Sequence, residues 1–367
     1  MSFGDGLPRR RIAQFIFLAL FGFFFLLLLQ ELRNNNTGGI VTYSLFAFLV
    51  IYFFFLITRV DMTDNSLKFF LIIPATVLLF LVSIFPFIYA VVASFFKIGG
   101  ANLRRAWPFV GFSNYVSLFT DPLFWDVLAR TIEYLLVAVT LELVIGLLMA
   151  LLLNKVRGMF SNIFVIPMMV APIAVALLWK AMLTEQGFIN AFLHSVGLPE
   201  PVWLSYREVI YPFLSLPPFY LELARKLNMT YGFFAILIPD IWQWTPLVAL
   251  FILTGIKSLP PDIIEAAEVE GASSRQILSH IILPLLRPVI GVIILIRVID
   301  VFKVYEYIWA TFREGIGVRT LNVQLTVLLF RTHEFGKASA LAVLTLLIVS
   351  ALTMVFYRIV YARTEKL

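Results

Sequence analysis

Charges inside apolar stretches are the first candidates for chemistry, because an ionised side chain is costly in lipid and persists where it faces a bundle interior or a wet path. Asp240 sits in the middle of the apolar stretch Tyr231–Ile256, beside Trp242, Gln243, Trp244 and Pro246. Arg297, Asp300, Lys303 and Glu306 recur at three-residue steps within Leu285–Ala310. On a helix that spacing drifts slowly around one side and brings opposite charges within reach of each other. Two uses are open: an ion-pair ladder that ties helices together, or polar lining of a translocation path. The rings of Trp242, Trp244, Tyr305 and Tyr307 could stack on sugars, and each is equally suited to core or lipid packing. Glu133 and Glu142 interrupt a further apolar run, Leu128–Leu153.

Other chemistries find no support. The chain has no cysteine, which excludes disulfides, thiolate metal sites and Cys nucleophiles. His194, His280 and His333 lie in separate segments without metal-ligand spacing. Neither a phosphate loop G-x-x-x-x-G-K-[ST] nor a G-x-S-x-G elbow occurs. Energy for transport must then come from a partner or an ion gradient.

The element that must position these charges is a membrane-spanning helix. The chain is 61% hydrophobic and 14% charged, against about half and about a quarter in soluble domains. Mean hydropathy is +0.96. Eight spans are expected: Ile12–Leu29, Ile40–Ile57, Phe69–Phe96, Leu128–Leu153, Met159–Leu183, Tyr231–Ile256, Leu285–Ala310 and Ala338–Tyr357. A secretory signal is the rival reading of the first, but its run is long and no small-x-small site follows. Eight spans put both termini on one side. Arg9–Arg11, Arg59, Lys68, Lys155, Arg157, Lys257, Arg275, Arg287 and the C-terminal Arg358, Arg363 and Lys366 share that side, so it is expected to be cytoplasmic. These span-end charges account for the net charge of +6; no basic stripe suggests nucleic acid. The longest interval between spans is 184–230, whose Tyr211–Pro218 centre is apolar enough to pack on a membrane surface or a partner.

One polar interval, Ser258–Pro288, separates two apolar runs. Pro260 and Pro261 suit a helix start, and Asp262 and Glu265 suit the positive end of its dipole. Gly271 is a natural stop, and Ser273 with Gln276 has capping-box spacing for a second helix. That helix should run to Leu283, with a break or kink at Pro284.

Glu265, Ala266, Ala267, three residues, Gly271, nine residues, Ile281-x-Leu283-Pro284 resembles the EAA coupling motif of binding-protein-dependent ABC importer permeases. The resemblance implies an all-α polytopic protein of the type I importer fold with both termini cytoplasmic. It implies a cytoplasmic loop, 258–284, docked in a cleft of a separate ATPase subunit. The partners it implies are two such ATPases, a second permease subunit and an extracytoplasmic substrate-binding protein, in the cytoplasmic membrane of a prokaryote. ATP and magnesium would bind the ATPases, leaving this chain without cofactor or catalytic site. Small Ala266 and Ala267 permit close approach, Gly271 sets the angle between helices, and Glu265 can pair with a basic group.

Gly111–Asp121 (GFSNYVSLFTD) resembles that family's stretch before its next helix, and the interval with Gly187–Asn190 (GFIN) and Trp203–Ser205 (WLS) resembles the external loop of its carbohydrate branch. In that branch substrate-lining positions precede the coupling Glu by about one span and recur on the following helix; here they correspond to Asp240, Gln243, Trp244, Asp300 and Lys303. The branch's Gly-Gly-Pro after the seventh span is replaced by Arg313–Thr320 (REGIGVRT). With the extra charges, this leaves a charged or amino sugar, or a polyol phosphate, open beside an oligosaccharide. The likeness covers 69–367; residues 1–68 form a two-helix extension. Two other classes remain: an ion-coupled secondary transporter using Asp240 and Asp300, and a membrane-embedded sugar transferase. Neither needs a docking loop.

Overall fold

The computed structural model describes residues 78–102, 106–155, 164–205, 229–315 and 317–361, with Ile72, Thr76 and Glu222 singly. The expected spans Ile12–Leu29 and Ile40–Ile57, the 1–68 extension and the Tyr211–Pro218 segment lie outside them. Contacts divide the chain into Met1–Phe87 and Ile88–Leu367. Helix α1, Phe80–Ala93, carries the described end of the first unit.

The regular elements among the described residues of the second unit are helices, and an isolated antiparallel bridge pairs Phe96 with Phe109. Short α2, Ser113–Phe119, leads into α3, Pro122–Lys155. Pro122 takes the first helical position, and the Asp121 carboxylate accepts from the Leu123 amide at 3.0 Å, which caps the start. At 34 residues, α3 is about 50 Å long, well over the roughly 30 Å of a hydrocarbon core. The expected fifth span is broken into α4, Ile166–Met169, and α5, Pro172–Met182. Pro172 opens α5 after an extended Val170, and the missing proline N–H explains the break. Phe188–Ser195 forms α6.

Helix α7, Tyr231–Lys257, is central. Of its most apolar stretch 61% is buried, against 33% for α3 and 11% for the last helix. Thr230 caps it by accepting from the Phe233 amide. Gly146 of α3 sits against it so closely that a Cβ there would be 2.6 Å from Val248. After α7 come α8, Pro261–Val269, and α9, Ser274–Leu285, then α10, Arg287–Val301. The chain closes with α11, Glu306–Phe312, α12, Leu321–Phe330, and α13, Phe335–Tyr361. Among the described residues, α3, α7 and α13 are long and apolar enough to cross a membrane, and the bent pair α9–α10 supplies a fourth.

Two expectations are corrected. The second helix does not end at Leu283; it runs on through Pro284 to Leu285, and the chain bends by 63° at Leu286, two residues after the proline. A π turn over Leu278–Ile282 precedes the proline, with the Leu283 amide bonded to the Leu278 carbonyl. The wider turn moves aside the carbonyl that the proline ring would crowd and leaves one fewer donor to satisfy. The same device precedes Pro86 in α1, where the Phe85 amide bonds to the Phe80 carbonyl. The expected seventh span, Leu285–Ala310, also does not run through. Its helix stops at Val301 in a tight turn, with the Lys303 amide on the Asp300 carbonyl and the Val304 amide on that of Val301; side chains hold the turn, as Asn322 donates to the Lys303 carbonyl at 2.8 Å and Thr320 to that of Val304 at 3.2 Å.

The connections gather at two ends. The Gly100 amide bonds to the His333 carbonyl, and that of Gly336 to the Ile98 carbonyl. Lys337 pairs with Asp121, and Leu321 donates to the Thr131 hydroxyl. The α8–α9 loop lies at the far end of α7 from this cluster.

Candidate functional site

A guanidinium and three carboxylates meet between α3, α7 and α10. Arg297 Nε and Nη2 donate to the two oxygens of Glu142, each at 2.7 Å. Nη2 also reaches Asp240 Oδ2 at 2.9 Å, and Nη1 reaches Asp300 Oδ2 at 2.7 Å. The Tyr134 hydroxyl donates to Asp240 Oδ2 at 3.0 Å. The guanidinium lies 4.9 Å from the centre of the Trp244 ring, a cation–π contact. Arg297, Glu142 and Asp240 are enclosed, while the Asp300 side chain keeps 32% of its exposure. Arginine's planar fork suits this: it presents several donors in fixed directions and keeps its charge when buried.

Gln243, one turn along α7 from Asp240, is also enclosed. Its amide nitrogen donates to the Val170 carbonyl at 2.7 Å, and its oxygen accepts from the Tyr307 hydroxyl at 2.6 Å. The Val170 carbonyl is the group left over by the break before Pro172. One side chain thus ties α7 to the broken span and to α11.

The structure therefore brings Asp240, Asp300 and Trp244 together around Arg297, with Gln243 beside them. The expected stripe Arg297–Asp300–Lys303–Glu306 is not one helix face. Only Arg297 and Asp300 share α10; exposed Lys303 lies in the turn after it, and Glu306 opens α11. Asp240 and Asp300 meet on one cation rather than across a wet cavity, and of the two only Asp300 reaches the surface. Glu142, Tyr134 and Val170 were not singled out as members of this cluster. For Glu142 a signal existed, since an acid in one span implies a base in another. For the Val170 carbonyl none did.

The second site is the α8–α9 loop. The Ala272 amide bonds to the Ala267 carbonyl at 2.9 Å and that of Gly271 to the Glu268 carbonyl at 3.0 Å, a Schellman ending. It requires the left-handed backbone of Gly271, φ +85°. A Cβ there would meet no atom within 4 Å, so backbone conformation alone selects glycine. Ser273 and Gln276 form the capping box of α9, with the Ser273 amide 2.8 Å from Gln276 Oε1. Glu265 and Ala266 are exposed, Ala267, Ile281, Leu283 and Pro284 half-buried. Ile263 and Val269 stand out at 44% and 90% exposure. Two apolar residues and an acid thus project on a rigid helical corner.

Comparison with known proteins bears on both sites. Residues 142–366 match the family described as binding-protein-dependent transport system inner membrane component. The trehalose/maltose transport system permease protein MalF of Thermococcus litoralis is 32% identical over 257 residues, covering 69% of this chain and 80% of that protein. The sulfoquinovosyl glycerol transport system permease protein SmoG of Agrobacterium fabrum is 28% identical over 311 residues, 82% of this chain and 92% of that one. Among solved structures, a chain of a bacterial ABC transporter involved in the import of the acidic polysaccharide alginate superposes with a TM-score of 0.65 at 19% identity. That match covers 82% of this chain and 97% of the other, so the helical fold is shared. With the corner motif and the helices around it inside the matched region, the chain belongs to the family of inner membrane components of binding-protein-dependent transport systems.

Proposed function

We propose that the chain is the permease subunit of an ATP-driven importer that moves an oligosaccharide or related carbohydrate across the cytoplasmic membrane of a prokaryote by alternating access. The observation that carries this reading is the exposed α8–α9 corner between the two helices that hold the buried charges. Its Glu265, Ala266 and Gly271 offer an acid, a small surface and a fixed turn to a partner ATPase, which supplies ATP and magnesium. A second permease subunit and an extracytoplasmic binding protein complete the assembly. The alginate transporter has also been solved with an alginate pentasaccharide-bound periplasmic protein, and the relatives named above carry trehalose, maltose or a sulfoquinovosyl glycerol by their names. Eight spans with both termini cytoplasmic fit the arrangement. The connections 97–126 and 311–337, which that topology would put outside, bond to each other at the end opposite the corner.

Within the path, Asp300, Trp244 and Lys303 keep exposure and would face cargo, while Asp240 and Gln243 hold the helices from behind. The test is reconstitution. The tagged chain should co-purify with an ATP-hydrolysing subunit. Vesicles bearing the assembly should take up sugar only with ATP on the α8–α9 side and the binding protein on the other. Uptake abolished by a proton ionophore and indifferent to ATP would overturn the reading.

A further inference from the structure

At the end of the molecule opposite the α8–α9 corner, α2 is apolar on two faces. Its inward face sets Leu118, 2% exposed, into the core with Tyr115 against it. Polar groups fasten that face: Asn114 Nδ2 donates to the carbonyls of Ser94, at 2.7 Å, and Phe96, at 3.0 Å, and the Tyr115 and Ser94 hydroxyls are 2.7 Å apart. The outward face carries Phe112, Val116 and Phe119, exposed at 68%, 58% and 46%, with Phe109 at 71% just ahead of them. Positions 112, 116 and 119 form one helical stripe. A helix beside water has a single apolar stripe, turned to the core, and a polar outer face.

The stripe continues into a span. The Trp125 indole donates to the Phe119 carbonyl at 2.9 Å, and the two rings lie 6.1 Å apart. Trp125 is 53% exposed, and below it on α3 Leu136, Val144, Leu148 and Leu152 are exposed by half or more. Together they mark the exposed side of the helix, which turns slowly around its axis along the length of α3. No charged residue interrupts the α2 stripe that a protein partner could pair with. Tryptophan and tyrosine collect at the head-group level of bilayers, where an apolar ring with a polar edge is satisfied on both counts. Tyr89, half exposed and edge-on to Trp107 at 6.3 Å, stands near the same end.

We propose that α2 is an interfacial lipid anchor. Phe109, Phe112, Val116 and Phe119 insert into the lipid–water boundary at the end of the spans opposite the corner, and Trp125 continues the contact into the acyl region. The occupant of the face is lipid, because through Trp125 the face joins the exposed apolar side of α3. Asn114 and Tyr115 hold the strap from the protein side, so its depth sets the depth of α3.

The test uses the absence of native cysteine. Single nitroxide labels go on Val116→Cys and Thr120→Cys; Thr120 is polar and exposed, so its replacement removes no apolar contact. Val144→Cys serves as the lipid reference and exposed Thr332→Cys as the aqueous one. The full chain, purified with the subunits it carries, is returned to vesicles of phosphatidylethanolamine and phosphatidylglycerol. Relaxation by oxygen, which enters lipid, is compared with relaxation by a water-soluble nickel chelate. The expected oxygen-to-nickel ratio at positions 116 and 120 lies between the references, severalfold above that at Thr332. A ratio equal to that at Thr332 would mean a water-facing strap and overturn the proposal. Low accessibility to both reagents would mean a protein partner, such as a second permease, and would overturn it equally.

Discussion

Arg297 and Glu142 stand 155 positions apart in sequence and meet in a two-bond fork, each nitrogen 2.7 Å from its oxygen. The fork joins α10 to α3 through side chains almost wholly removed from solvent. A buried charge is stable only with its partner, so the effect of a substitution depends on which member goes.

Arg297→Leu leaves Glu142, Asp240 and Asp300 without a counter-charge. Loss of one partner from a buried pair costs about 3–5 kcal/mol. Asp300→Asn acts at the exposed edge, where pairs contribute about 1 kcal/mol or less. Thermal unfolding of the purified protein should therefore fall steeply for the first and slightly for the second. Equal effects would place the cluster in a far wetter setting than its burial indicates.

Gln243→Ala strands the Val170 carbonyl and the Tyr307 hydroxyl together. Each unsatisfied buried group costs about 1–3 kcal/mol. The expected outcome is lower stability and less assembled complex, with uptake per assembled complex nearly unchanged. Asp300→Asn should do the reverse if its exposed carboxylate touches cargo: normal assembly and reduced uptake. Quantified co-purification alongside uptake separates the two.

At Gly271 room is plentiful and conformation is restrictive. Gly271→Leu forces a side chain into the left-handed region at about 1–2 kcal/mol, whereas Gly271→Asn tolerates that region better. Membrane insertion should survive both. ATPase co-purification should drop for Leu and hold for Asn. Glu265→Ala should weaken co-purification without altering the corner, since its side chain is exposed.

Cysteine labelling of intact cells reads the orientation. A cysteine at Ser273 should resist an impermeant maleimide until the membrane is opened, and one at Thr332 should react at once. Both positions are exposed. The opposite pattern would invert the proposed topology.

Local signals in the sequence translated well. Tyr231–Ile256 became α7 with one residue added, and the Gly271 stop and Ser273–Gln276 box appeared where spacing put them. Each depends on residues within one or two turns. The bend moved from Pro284 to Leu286 because a π turn can absorb a proline, and no residue type announces that turn. The end of α10 at Val301 was hidden for another reason. The turn that follows is held from 16 and 19 residues downstream, by Thr320 and Asn322, which donate to the Val304 and Lys303 carbonyls. The Gln243–Val170 bond was illegible because its acceptor is backbone and carries no side-chain signature.

Gly255 has a consequence for how motion passes through the molecule. A Cβ there would be 2.6 Å from Leu286 and 3.2 Å from Val289, so α7 and the bend before α10 touch just where the corner loop leaves and returns. The loop is a handle fastened at both ends to adjoining points. A displacement applied at Glu265 cannot be absorbed by spreading α7 from α10. It must carry both helices at once, and Arg297 enlists α3 as well. Helices α3, α7 and α10 are therefore geared to swing as a block, and in the proposed transport cycle a passage would open and close against a different body.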